Sequence, residues 1–109
     1  MNLVIETFDR SSVISPEGDI DSMESTKLRE ALKPILDSTS SRIVIDLSGV
    51  KYMDSSGIAT LIEALQICKK NSKKFVICGL QDGVRSIIEL ARLDTIFMIT
   101  SNQEDALLV

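Results

Sequence analysis

The chain has 109 residues, with one Tyr, three Phe, no Trp, no His and a formal net charge of −4. That length suits a single domain, residues 1–109, whose modest core Ile, Leu and Val must fill in place of aromatic rings. An acidic balance with few rings argues against nucleic acid as a partner, and the lack of His removes the commonest general base and metal ligand. Cys68 and Cys78 fall in a predicted helix and strand, not in a spaced cluster, and read as reduced core residues. With no signal peptide and no apolar run of membrane-spanning length, a soluble, cytoplasmic protein without membrane contact is expected.

Leu3 to Phe8 reads as a strand and Val13-Ile14 anchors a second; Asp9-Arg10-Ser11-Ser12 between them is turn chemistry, which predicts a hairpin. Pro16 and Gly18 end the second strand or leave it irregular. In Gly18-Asp19-Ile20-Asp21 the two aspartates read as turn and helix-start residues. Leu28, Ala31, Leu32, Ile35 and Leu36 then recur at helical spacing, with Ser22 or Asp21 as the cap. Pro34 lies inside that pattern and predicts a kink, or a regular helix that ends near Lys33. Asp37 to Ser41 is a polar loop.

Ile43, Val44, Ile45 and Leu47 form an almost unbroken apolar run, the pattern of a parallel strand buried on both faces. Ile58, Leu61, Ile62 and Leu65 follow at i, i+3, i+4 and i+7, with Cys68 a turn further on, as the stripe of an amphipathic helix. Between strand and helix, Asp54-Ser55-Ser56-Gly57 supplies three capping residues and a glycine. The helix start thus presents hydroxyls and unpaired N–H groups at a strand's carboxyl end, the edge where ligands gather in open α/β sheets. Taken alone, these four residues read as helix-start chemistry.

Lys69 and Lys70 complement the negative end of that helix, and Phe75 to Leu80 is another buried strand. Asp82 is the expected cap of the next helix, with Val84, Ile87, Ile88 and Ala91 facing inward. Ile96 to Ile99 is the last short strand, and Asn102 caps a terminal helix carrying Ala106, Leu107 and Leu108. Strand–helix alternation after the hairpin predicts an α/β fold with a mostly parallel sheet.

Tyr52–Leu61 (YMDSSGIATL), preceded by Ile45–Val50 (IDLSGV), resembles the signature of anti-sigma factor antagonists, small STAS domains. Gly18-Asp19-Ile20-Asp21 is similar to the acidic string that this family carries near its first helix. The resemblance covers nearly all of the chain; Ala59 stands where glycine is common and keeps a small residue. It implies a mostly parallel sheet of about five strands with an N-terminal hairpin, and four helices packed largely on one side. It also implies a phosphoacceptor directly after the aspartate of the motif, hence Ser55, with Asp54, Ser56 and Gly57 as neighbours. Asp21, Asp46, Met53 and Ile58 are the candidate partner contacts around it. The implied partners are an anti-sigma factor that is itself a serine kinase, and a metal-dependent serine phosphatase that acts on the phosphorylated form.

Enzyme chemistry has little to work with in this chain. A nucleophilic serine lacks a His base, and Lys51 is the one lysine in the loop beside Ser55. No phosphate-binding GxxxxGK[ST] string or dinucleotide fingerprint occurs. Asp46 and Asp54 have no substrate loop to make them a Mg²⁺ site, so no metal and no cofactor are expected. Asp46 invites comparison with receiver domains, but those need an acidic pair after the first strand, where this chain has Asp9-Arg10 in a turn.

A switchable binding module fits better. A helix N-terminus tolerates an anion, and phosphorylation adds roughly −1.5 to −2 charges at neutral pH. The expected cycle has the unphosphorylated protein bind the anti-sigma factor and free a sigma factor, with phosphorylation of Ser55 ending that binding. Two other readings are a STAS switch on a non-sigma output such as secretion or motility, and a small-ligand-sensing STAS subunit. Asp54, Ser55 and Ser56 are expected at the surface, with Ile58, Leu61, Ile62 and Leu65 buried. Gly57 is expected to let a partner's backbone or an incoming phosphoryl group approach closely. One of the two serine hydroxyls should turn inward as a cap and leave the other free; the sequence leaves open which.

Overall fold

The first two strands, β1 (Asn2–Phe8) and β2 (Ser11–Glu17), form an antiparallel hairpin across the Asp9–Arg10 turn. Asp9 takes φ 56, the left-handed conformation that a short polar side chain tolerates. The chain continues through α1 (Ser22–Leu36), β3 (Arg42–Asp46), α2 (Ser55–Lys70), β4 (Lys74–Cys78) and α3 (Asp82–Leu90). A 3₁₀ turn (Leu93–Thr95), β5 (Met98–Thr100) and the short α4 (Gln103–Ala106) complete it. This computed structural model describes all residues, 1–109. The five strands lie in the order β1-β2-β3-β4-β5, and every pair after the hairpin is parallel.

The period of two along each strand divides the core. Ile14, Ile43, Ile45, Phe75 and Ile77 point to one face, where they pack against Leu28 and Leu32 of α1, Leu61 and Leu65 of α2, and Val84 and Ile88 of α3. Val13, Val44, Val76 and Cys78 point to the other, where Ala106 of α4 and Leu107 cover them. Both faces of the central strands are therefore dry, which explains their unbroken apolar sequence. The expected layout is the observed one: a hairpin, then parallel strands, with three helices on one face and the small fourth on the other.

Three local expectations need correction. α1 does not stop at Lys33: it runs through Pro34 to Leu36 and closes with Asp37 N–H donating to Lys33 O (3.1 Å). Pro34 is exposed and costs one hydrogen bond, while Ile35 and Leu36 beside it are buried and hold the last turn against the core. Asp82 is the first helical residue of α3, not its cap; Gln81 takes the cap position and turns its amide to Ser48 O (2.7 Å). The last strand starts at Met98, not Ile96, because the 3₁₀ turn delays it; Phe97 just before it is buried against Phe75, with ring centroids 6.2 Å apart.

Candidate functional site

The loop from Leu47 to Asp54, which joins β3 to α2, is held on both sides by backbone hydrogen bonds. Leu47 N–H donates to Cys78 O (2.9 Å), Gly18 N–H to Gly49 O (3.0 Å) and Ile20 N–H to Tyr52 O (3.0 Å), while Asp54 N–H donates to Ile20 O (3.1 Å). Ile20 and Met53 form a parallel bridge outside the main sheet, so the starts of α1 and α2 lie side by side. Gln81 adds its side-chain bond to Ser48 O. The α2 N-terminus is thus presented from a braced platform.

Asp54 caps α2. Its Oδ1 accepts from Ser56 N–H (2.9 Å), Gly57 N–H (3.3 Å) and the Ser56 hydroxyl (2.5 Å). The Ser56 hydroxyl bond, helped by the two N–H donors, holds the Asp54 carboxyl below its ordinary pKa against the opposing effect of desolvation. Asp21 caps α1 in the same way, accepting from Met23 N–H (3.1 Å) and Glu24 N–H (2.9 Å).

The two serines after Asp54 differ. Ser56 is half-buried and its Oγ lies 2.9 Å from Ser25 Oγ of α1 while donating to Asp54. Ser55, the first residue of α2, is exposed, and its hydroxyl engages no group of the chain. Neither serine caps the helix, because Asp54 does; Ser56 turns inward to Asp54 and Ser25, and the free hydroxyl is Ser55. Beside them a polar cleft of about 260 Å³ opens between α1 and α2, with Ser22, Ser25, Ser56 and Thr60 on its walls. Arg29 and Glu63 bridge it at 3.1 Å.

Not all predicted contacts lie at this surface. Asp21 is exposed and adjoins Asp54 through the Ile20–Met53 bridge. Asp46 is half-buried and uses both carboxylate oxygens within the chain: Oδ1 accepts from Ser48 N–H (3.0 Å) and Oδ2 from Gln103 Nε2 (2.8 Å). It latches α4 to the end of β3. Met53 is fully buried, and Ile58 is 8% exposed on the inward stripe of α2, so both are core residues and not contact residues. Gly57 also faces inward: a Cβ there would overlap the Met53 side chain and lie 3.1 Å from Ile20 Cγ2. The glycine is needed for packing under the loop. Of the expected helix core, Ile58, Leu61 and Leu65 are buried and Ile62 is half-buried.

The apolar side chains that are exposed here are Tyr52 (51%) and Met23 (69%), which the motif reading passed over. Alternation around the bridge would have found Tyr52, since Met53 points in and its neighbour must point out. Met23 lies off the Leu28–Leu32–Ile35 stripe of α1, which the helical period also shows. No group of three or more His, Cys, Asp or Glu side chains is arranged to hold a metal ion, and no helix is long and apolar enough to cross a membrane.

Fold and site define a small α/β domain that displays a helix-start serine from a braced sheet edge. The family model described as "Mlab, STAS domain" matches residues 4–100, and the chain belongs to this STAS family. The anti-sigma-B factor antagonist of Staphylococcus aureus is 28% identical over 106 residues, covering 95% of this chain and 98% of the relative. That of Listeria monocytogenes is 30% identical over 102 residues, covering 91% and 90%. The crystal structure of an anti-sigma factor antagonist from Mycobacterium paratuberculosis matches with a TM-score of 0.91 at 28% identity, covering 98% of this chain and 91% of that one. The resemblance carried by Tyr52–Leu61 is therefore met by relatives that bear the expected name.

Proposed function

We propose that this chain is an anti-sigma factor antagonist that works by partner switching in the cytoplasm, residues 1–109 acting as one domain. In its unphosphorylated form it binds an anti-sigma factor that is also a serine kinase, and so frees a sigma factor. The kinase transfers the γ-phosphoryl group of ATP to Ser55, which ends the binding, and a metal-dependent serine phosphatase restores the active form. The chain itself catalyses nothing and holds no cofactor; ATP belongs to the kinase. The names of the relatives support this reading.

The observation that carries it is the contrast between the two serines. Ser55 is exposed at the first position of α2 with a free hydroxyl, and the Ser56 hydroxyl is engaged by Asp54 and Ser25. A phosphate on Ser55 would sit exposed at the positive end of the α2 dipole, so the fold tolerates it although Asp54 already takes the Ser56 and Gly57 N–H groups. A partner fitted to a neutral serine between Asp21 and Asp54 would meet added bulk, negative charge and a desolvation penalty. The exposed rim residues Tyr52 and Met23 take over the anchoring role first expected of Met53 and Ile58.

Affinity capture from the native cytosol tests the reading. Ser55→Ala should retain the kinase in the presence of ATP, whereas Ser55→Asp should retain little of it while unfolding at the parent's temperature. Capture of the same partner to the same extent by Ser55→Asp would remove charge at this position as the switch.

A further inference from the structure

We propose that Ser25 confines phosphorylation to Ser55, by holding the neighbouring Ser56 hydroxyl in a hydrogen-bonded chain that keeps it from acting as an acceptor. This rests on the reading of Ser55 as the phosphoacceptor and adds what decides between two adjacent serines of equal chemistry. Ser25 lies in the first turns of α1 and is 5% exposed. Its Oγ is 2.9 Å from Ser56 Oγ and 3.0 Å from Ser22 O, and Ser56 Oγ is 2.5 Å from Asp54 Oδ1.

A buried hydroxyl needs one partner, and the carbonyl of Ser22 three residues back already serves Ser25 within its own helix. The contact to Ser56 is therefore not needed to satisfy Ser25; its effect falls on Ser56. Within the chain Ser25–Ser56–Asp54, the Ser56 proton goes to the carboxylate, and the single Ser25 proton, shared between Ser22 O and Ser56 Oγ, reaches a Ser56 lone pair. Burial alone does not protect Ser56, because it is only half-buried and lines the open polar cleft between α1 and α2. The restraint is directional hydrogen bonding.

Phosphoryl transfer forms a bond between serine Oγ and the γ-phosphorus of ATP, breaks the bond from that phosphorus to the bridging β,γ-oxygen, releases ADP and sends the serine proton to a base on the kinase. Ser56 could join this reaction only by rotating its χ1 toward solvent, which breaks both of its hydrogen bonds and strips Asp54 of its hydroxyl donor. Ser55 has no such bond to break. The fork is set from α1, by a side chain 30 residues upstream of the acceptor.

The test uses Ser25→Ala, which keeps a good helix former at a buried position and should fold as the parent does. Parent and variant are incubated with ATP and the kinase captured by this chain from native cytosol, and the phosphate is located by peptide mass spectrometry. The parent should carry it on Ser55 with at most a trace on Ser56, and Ser25→Ala should raise that Ser56 share by roughly tenfold, the rate equivalent of one lost hydrogen bond. Ser25→Ala combined with Ser55→Ala should accept phosphate on Ser56, where Ser55→Ala alone does not. An unchanged Ser56 share in Ser25→Ala would overturn the role of Ser25 and leave the switch standing. A parent unmodified at both serines would instead overturn the Ser55 reading. The restraint is then decided without a kinase, by side-chain scalar couplings in NMR. These should show one Ser56 χ1 rotamer in the parent and averaging in Ser25→Ala; one rotamer in both proteins would sink the proposal.

Discussion

The starts of α1 and α2 are near copies of each other, and their difference explains why only one suits a switch. Each has an aspartate cap in the same extended conformation, φ −95 and ψ −172 at Asp21 against φ −93 and ψ −174 at Asp54, and each cap is followed by a serine. The Ile20–Met53 bridge sets the two side by side. Three residues after the cap, however, α1 has Glu24 and α2 has Gly57. Glu24 places a carboxylate in the first turn of α1 and already offsets the positive end of its dipole. The first turn of α2 holds no acidic side chain beyond its cap, so an added anion there meets one carboxylate, Asp54 on the Ser56 and Gly57 N–H groups, and not two. The same cap geometry yields a closed helix start in one place and a chargeable one in the other.

The strongest way to break this comparison is at the third position. Gly57→Val should destabilise by about 1–3 kcal/mol or more, because the new side chain overlaps Met53 and crowds Ile20. Glu24→Ala at the matching place in α1 should cost clearly less in the same urea titration. Equal losses would show that the two positions do not differ in packing.

The caps give a middle-sized effect, read through pH. The Asp54 carboxyl is held below its ordinary pKa in the folded chain, chiefly by the Ser56 hydroxyl. A group depressed by folding stabilises above its unfolded pKa and loses that contribution as pH falls. The stability difference between the parent and Asp54→Asn should therefore be full above about pH 5 and shrink on acidification through the ordinary carboxylate range. A difference that grows toward low pH would contradict the assigned bonds. Smallest is the response to added charge. Ser55→Glu should stay within about 0.5 kcal/mol of the parent, and Ser22→Glu, placed next to Glu24, should be the less stable of the two. Thermal melts at low salt that reverse this order would remove the electrostatic part of the comparison.

Much of this was legible in the sequence. The almost unbroken apolar run from Ile43 to Leu47 named the central strand, and the Ile58–Leu65 stripe named the helix that follows it. Asp54 and the serines marked the junction. What stayed hidden depends on contacts between distant residues. The inward turn of Met53 and the burial of Gly57 follow from the bridge to Ile20, 33 residues away, which no local pattern reveals. Ile58 was expected both on the buried stripe and as a partner contact, and its burial agrees with the first, which the helical period alone assigns. That Ser56 turns inward and Ser55 does not depends partly on Ser25, which lies on another helix. Asp46 looked free at a strand end until α4 supplied Gln103.

The central claim is that charge at Ser55 releases the partner, and one measurement addresses it directly. Phosphoserine is installed at position 55 during synthesis, and the affinity of this protein and of the parent for the captured anti-sigma factor is measured by titration calorimetry. Phosphorylation should weaken binding by at least about tenfold, equivalent to about 1.4 kcal/mol, with the melting temperature of the free protein little changed. Equal affinities for the two forms, with the partner's identity established, would contradict the account.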